Sequence, residues 1–132
     1  MISTKGRYAI RVLIDLAEND NGQYIPLKDV AERQQISKKY LEIIARELVA
    51  GNLLKGASGK GGGYKLSRPP EEYPIGEVLE LMEGSLAPVA CLSNKEDAEC
   101  PRASQCNTLP MWDEYRKLTL DFFYGKKLSD LL

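Results

Sequence analysis

Residues 37–66 read SKKYLEIIARELVAGNLLKGASGKGGGYKL. Ser37 suits a helix N-cap, because its hydroxyl can accept from an amide that the first turn leaves unpaired. Tyr40, Leu41, Ile44, Ala45 and Leu48 then recur at three- and four-residue spacing, which predicts a helix to about Ala50 with Gly51 at its end. Its other side carries Lys38, Lys39, Glu42, Ile43 and Arg46. Beyond it, Leu53-Leu54-Lys55 and Tyr64-Lys65-Leu66 read as short strands joined by a loop, Gly56 to Gly63, too rich in glycine to pack anything of its own. A nucleotide-binding phosphate loop would also be glycine-rich. It would need Ser or Thr after the lysine and a helix to follow, whereas Lys60 precedes Gly61 and the loop leads into a strand.

Upstream, Pro26 starts a short helix with Leu27, Val30 and Ala31 inward, broken at Gln34-Gln35-Ile36. Two short helices so closely joined have the layout of a helix-turn-helix, and a β-hairpin after them makes a winged helix. In that arrangement the second helix enters the major groove of DNA and the wing reaches the backbone or the minor groove. A preceding helix, capped by Ser3 or Thr4, carries Tyr8, Ile10, Val12, Leu13, Leu16 and Ala17 mostly on one side and ends near Asn19-Asp20-Asn21-Gly22.

The net charge of -1 hides a division along the chain. Residues 1–68 hold 12 Lys and Arg against 7 Asp and Glu, while residues 69–132 hold 6 against 12. A polyanion-binding module joined to a part with another task would show this pattern. The apolar run 9–17 is broken by Arg11 and Asp15, so no signal peptide or membrane span is expected and the chain reads as cytosolic. With no histidine, no nucleophile–base pair and no nucleotide loop, no enzyme is expected.

Pro69-Pro70 and Pro74 form a stiff connector to a short helix over 75–83, with Val78, Leu79 and Met82 inward and Gly84 as its stop. Pro110 starts a last helix bearing Met111, Trp112, Tyr115, Leu118, Thr119, Phe122 and Phe123, more aromatic surface than so small a body can cover alone. That stripe predicts a core shared between two protomers. Between these helices Cys91, Cys100 and Cys106 fall within sixteen residues, in a polar loop unlike the apolar surroundings of structural cysteines. An odd number of thiols cannot all pair within the chain. The spacing suggests a metal or iron-sulfur ligand set, with ordinary free cysteines as the alternative.

The expected fold is therefore mainly α with a small β-hairpin wing. A winged helix-turn-helix region would span residues 1–68, and residues 69–132 would supply a connector helix, the cysteine loop and a long C-terminal dimerisation helix, integrated in a single domain of ordinary size.

Five motifs in order, Ser3-Thr4-Lys5-Gly6-Arg7-Tyr8-Ala9, Ile36-Ser37-Lys38-Lys39-Tyr40-Leu41-Glu42, Gly61-Gly62-Gly63-Tyr64, Ile75-Gly76-Glu77-Val78 and the three cysteines before Trp112, resemble the Rrf-two family of bacterial transcription regulators. Within it the chain is similar to the IscR-like, iron-sulfur branch. The resemblance implies a homodimer on palindromic double-stranded DNA, a [2Fe-2S] cluster on Cys91, Cys100 and Cys106, and control of iron-sulfur biogenesis genes. Ser37, Lys38, Lys39 and Tyr40 would contact phosphates or base edges, Glu42 would accept from a cytosine N4 or exclude a thymine, and Ser58 and Lys60 would serve the wing. Ordering of the Cys91 to Cys106 loop against the dimer helix would set the two heads relative to one another.

Two positions depart from the family pattern. IscR-like proteins place a histidine three residues after the third cysteine, where this chain has Leu109. The fourth ligand is left open among a carboxylate (Glu96, Asp97, Glu99, Asp113 or Glu114), a backbone or hydroxyl group, a group of the partner subunit and an exogenous ligand. In nitric-oxide-sensing NsrR relatives an aspartate near the partner's N-terminus fills the site, and the matching residue here is Tyr8. In the wing, Ser58 stands where many relatives carry arginine, with Lys60 the nearest cation, so weaker minor-groove insertion is expected. The same fold would also suit a nitric oxide, thiol-redox or zinc sensor, or a CymR-like regulator controlled by a protein partner.

Overall fold

The computed structural model describes residues 1–92 and 101–132; Cys100 and the candidate ligands Glu96, Asp97 and Glu99 lie outside them. Helix α1 (Thr4–Glu18) is capped by Ser3, whose hydroxyl accepts from the Gly6 amide at 3.1 Å. Its buried face is centred on Ala9, Val12, Leu13 and Leu16, a rotation that leaves Tyr8 and Ile10, expected inward, only half-buried. The rotation also carries Asp15 inside, where it is 1% exposed. A buried carboxylate is tolerable only when paired and hydrogen-bonded. Arg33 supplies Nη2 at 2.7 Å and Nε at 3.0 Å, and Gln34 donates Nε2 at 3.0 Å.

Helix α2 (Leu27–Gln34) ends at Gln35, which adopts the left-handed conformation (φ 55°) and turns the chain toward Ser37. Arg11 braces this turn from α1, donating to the Gln34 backbone carbonyl and, at 3.1 Å, to its side-chain oxygen. Helix α3 (Lys38–Ala50) buries Leu41, Ile44, Ala45 and Leu48. Tyr40, also expected inward, is half-buried and meets Tyr8 edge to face at 5.8 Å. Helix α4 (Ile75–Glu83) adds Val78, Leu79 and Met82 to the same core cluster, as expected, together with Ile75, and Gly84 (φ 80°) ends it.

The hairpin pairs β1 (Leu54–Ala57) with β2 (Gly63–Leu66), Leu54 opposite Leu66 and Ala57 opposite Gly63. Its base packs more than the sequence suggests. Tyr64 and Ile25 exchange two backbone hydrogen bonds of 2.8 Å, stitching the wing to the segment before α2. Gly63 is required there: its φ is +145°, and a Cβ would overlap the Ile25 carbonyl group. The connector winds one short turn, Pro70–Glu72, before Tyr73, which is fully buried although no spacing in the sequence marks it. Its hydroxyl donates to the Leu53 carbonyl at 2.6 Å and accepts from the Ser67 amide at 3.0 Å, so one side chain holds both legs of the wing.

Helix α5 (Leu109–Tyr124) begins one residue before Pro110. The segment after it returns to the core, where Leu128 is buried and donates its amide to the Tyr73 carbonyl at 2.9 Å. Tyr124 donates to Glu80 of α4; burial and that carboxylate push its hydroxyl up to about 12. None of the residues of α5 is buried. Among the described residues no helix is long and apolar enough to cross a membrane.

Candidate nucleic-acid interface and cysteine loop

Ser37 accepts from the Tyr40 amide at 3.2 Å and thereby fixes the start of α3. Lys38, Lys39, Glu42, Ile43 and Arg46 then stand on its exposed side. Beside them lies a cleft of about 590 Å³ between α3 and the wing, lined by Lys28, Lys38, Glu42 and Arg46 on one side and by Ala57, Ser58, Gly59, Gly62 and Gly63 on the other. Lys60 is exposed at the wing tip between Gly59 (φ 83°) and Gly61 (φ 78°).

Several cations of the head are committed within the chain. Lys5 pairs with Glu47 at 3.0 Å, Arg33 with Asp15, and Arg68 with Glu77 through contacts of 2.7 and 2.8 Å. Lys65 sits 4.6 Å above the Tyr24 ring and Arg11 is held by Gln34 and Tyr8. Arg68 holds the Glu77 carboxyl below its ordinary range. By contrast, Lys28, Lys38, Lys39, Arg46, Lys55 and Lys60 make no hydrogen bond or ion pair among the described residues. Uncommitted charge thus collects around α3 and the wing. Nothing in the sequence singles out Lys28, because it belongs to the preceding helix and only the fold brings it to the cleft. The four-residue spacing of Lys38, Glu42 and Arg46 is the available signal for Arg46.

Of the three cysteines, two are described. Cys91 is half-buried in the short turn Ala90–Leu92, and Cys106 is half-buried just ahead of α5. The Cys106 sulfur lies 3.3 Å from the Thr108 hydroxyl, and that contact, followed by the Thr108 and Leu109 amides, holds the thiol below its usual range. Cysteine sulfur suits soft metals, so the donor chemistry fits an iron-sulfur cluster or zinc. Leu109, at the first position of α5, offers no side-chain donor. Asp113 is engaged with Lys117 at 3.1 Å. Among the described residues no three His, Cys, Asp or Glu side chains gather as a metal site.

Among the described residues much of the stripe on α5 is uncovered, although Trp112, Thr119 and Phe123 are half-buried. Met111, Tyr115, Leu118 and Phe122 are 52, 55, 64 and 58% exposed. Tyr115, Leu118 and Phe122 join Ile2, Leu86 and Trp112 in lining an open apolar groove of about 630 Å³.

The profile of the Rrf2 family, an iron-dependent transcriptional regulator, matches residues 2–132. The Rrf2 protein of Nitratidesulfovibrio vulgaris is 38% identical over 122 residues, which cover 89% of this chain and 80% of that protein. Two solved structures superpose with a TM-score of 0.77 at 30% identity over 99% of this chain: CymR, the global cysteine regulator of B. subtilis, covered to 95%, and IscR of T. potens, covered to 85%.

Proposed function

We propose, from the premise that this chain belongs to the Rrf2 family of transcriptional regulators, that it is a homodimer on palindromic DNA, sensing through an iron-sulfur cluster on Cys91, Cys100 and Cys106 and controlling iron-sulfur assembly genes. The family is one of DNA-binding regulators, not enzymes. The observation that carries the DNA reading is the gathering of uncommitted cations on α3 and the wing. Ser37, Lys38 and Lys39 face phosphates, and the Tyr40 hydroxyl remains available at the rim of the core. Glu42, exposed and unpaired among the described residues, suits a cytosine N4 and repels the thymine O4. Ser58 and Lys60 follow the backbone from the wing. The α5 groove takes the same helix of a second copy, which sets two heads on half-sites about one helical turn, or a multiple of it, apart.

Cys91 and Cys106, with Cys100 between them in sequence, would hold the cluster, and the Thr108 contact favours ionisation of the Cys106 thiol. When bound, a [2Fe-2S] group supplies a redox-responsive iron centre. Its fourth ligand comes from a residue other than histidine or from outside the chain. Anaerobic reconstitution should give a coloured protein with near-equal iron and inorganic sulfide, and changing any one cysteine to Ala should abolish the colour. A stable cluster in the triple Ala variant, or stoichiometric zinc without iron after iron-replete anaerobic expression, would overturn the cluster. The likeness to CymR, together with Leu109 at the place of a donor, favours as second reading a thiol-redox or partner-controlled regulator without a cluster, which the same spectrum separates.

A further inference from the structure

We propose that the cleft between α3 and the wing seats the sugar-phosphate backbone, with Lys28 and Arg46 joining Lys38 to clamp phosphates of one strand; this rests on the DNA-binding reading above. Lys38, Glu42 and Arg46 are spaced four residues apart on α3 and line the same wall. At 1.5 Å rise per residue, Lys38 and Arg46 stand about 12 Å apart along the axis, room for more than one phosphate. Lys28 reaches this wall from the first turn of α2. The opposite wall is Ala57, Ser58, Gly59, Gly62 and Gly63, whose small side chains let a strand approach closely.

Charge decides which ligand fits. Three cations face one carboxylate, and none of the four is engaged with another residue among those described. A guanidinium fork such as that of Arg46 matches two phosphate oxygens, whereas a lysine acts as a point charge indifferent to sequence. Ser58 leaves the wing without an arginine beside this cleft.

The test is fluorescence anisotropy with the full chain, on a duplex enriched from a random pool by the wild-type protein and on a scrambled duplex, across a salt series. Lys28→Ala and Arg46→Ala should each flatten the log-log salt slope by about 0.9 for every phosphate left without its cation, once per protomer, and should weaken both duplexes by the same factor. Lys28→Arg and Arg46→Lys should retain the slope. Wild-type slopes in both Ala variants, or a weakening confined to the enriched duplex, would overturn the clamp while leaving DNA binding intact. Wild-type protein that binds neither duplex in a salt-dependent way would overturn the DNA reading and the clamp with it. Potassium phosphate should displace DNA no better than potassium chloride at equal ionic strength; stronger displacement would mark the cleft as a seat for free phosphate instead.

Discussion

Asp15 is the charged side chain that the core of the head has to accommodate, and Arg33 is what makes that possible. Removing Arg33 strands a carboxylate that Gln34 alone then serves. Arg33 is itself 39% exposed, so water can take up part of the deficit. Arg33→Ala is accordingly expected to cost about 1–3 kcal/mol, while Arg46→Ala, which breaks no intrachain contact, should leave the urea midpoint within error of wild type. Equal midpoints for the two variants would remove the pairing as a stabilising element. In the sequence Asp15 shows only as an interruption of an apolar run. Its partner lies in another helix, and hydrophobic spacing cannot reveal a neutralised carboxylate; the same blindness points Tyr8 and Ile10 inward at its expense.

Caps and helical periodicity are local properties, which is why the helix starts at Ser3, Pro26 and Ser37 are legible in the sequence and match to within a residue. The wing is legible as a hairpin, but its seat is not, because the Ile25–Tyr64 pairing and the Tyr73 hydroxyl join positions remote in sequence. Gly63 is the element's weak point. A Cβ there meets the Ile25 backbone and also strains a positive φ, whereas at Gly59, also at positive φ, it meets open space. Gly63→Ala should therefore cost about 1–3 kcal/mol and weaken binding to every duplex, with Gly59→Ala distinctly milder on both counts. Equal effects from the two variants would mean that the stitch to Ile25 does not set the wing.

For the molecule as a whole, the exposed face of α5 is the strongest constraint on assembly. An interface charge without a partner costs several kcal/mol, so Leu118→Asp should give monomers or insoluble protein, read by light scattering. Wild-type protein that is monomeric at micromolar concentration would defeat the shared core. The aromatic stripe is plain in the sequence. What would cover it is not, since the proposed second copy leaves no separate mark in the chain, and in the same way cysteine spacing speaks of ligand chemistry without naming a fourth ligand.

The uneven placement of charge has one more consequence, which concerns arrival more than grip. Twelve cations against seven acids lie up to Arg68, and six against twelve beyond it, and the cations that line the cleft have no partner among the described residues. In the potential around a polyanion the cleft side is drawn forward before any contact forms. Collisions are then pre-aligned and fewer encounters are wasted on the wrong face, so dissolved salt would slow the search as well as loosen the phosphate contacts.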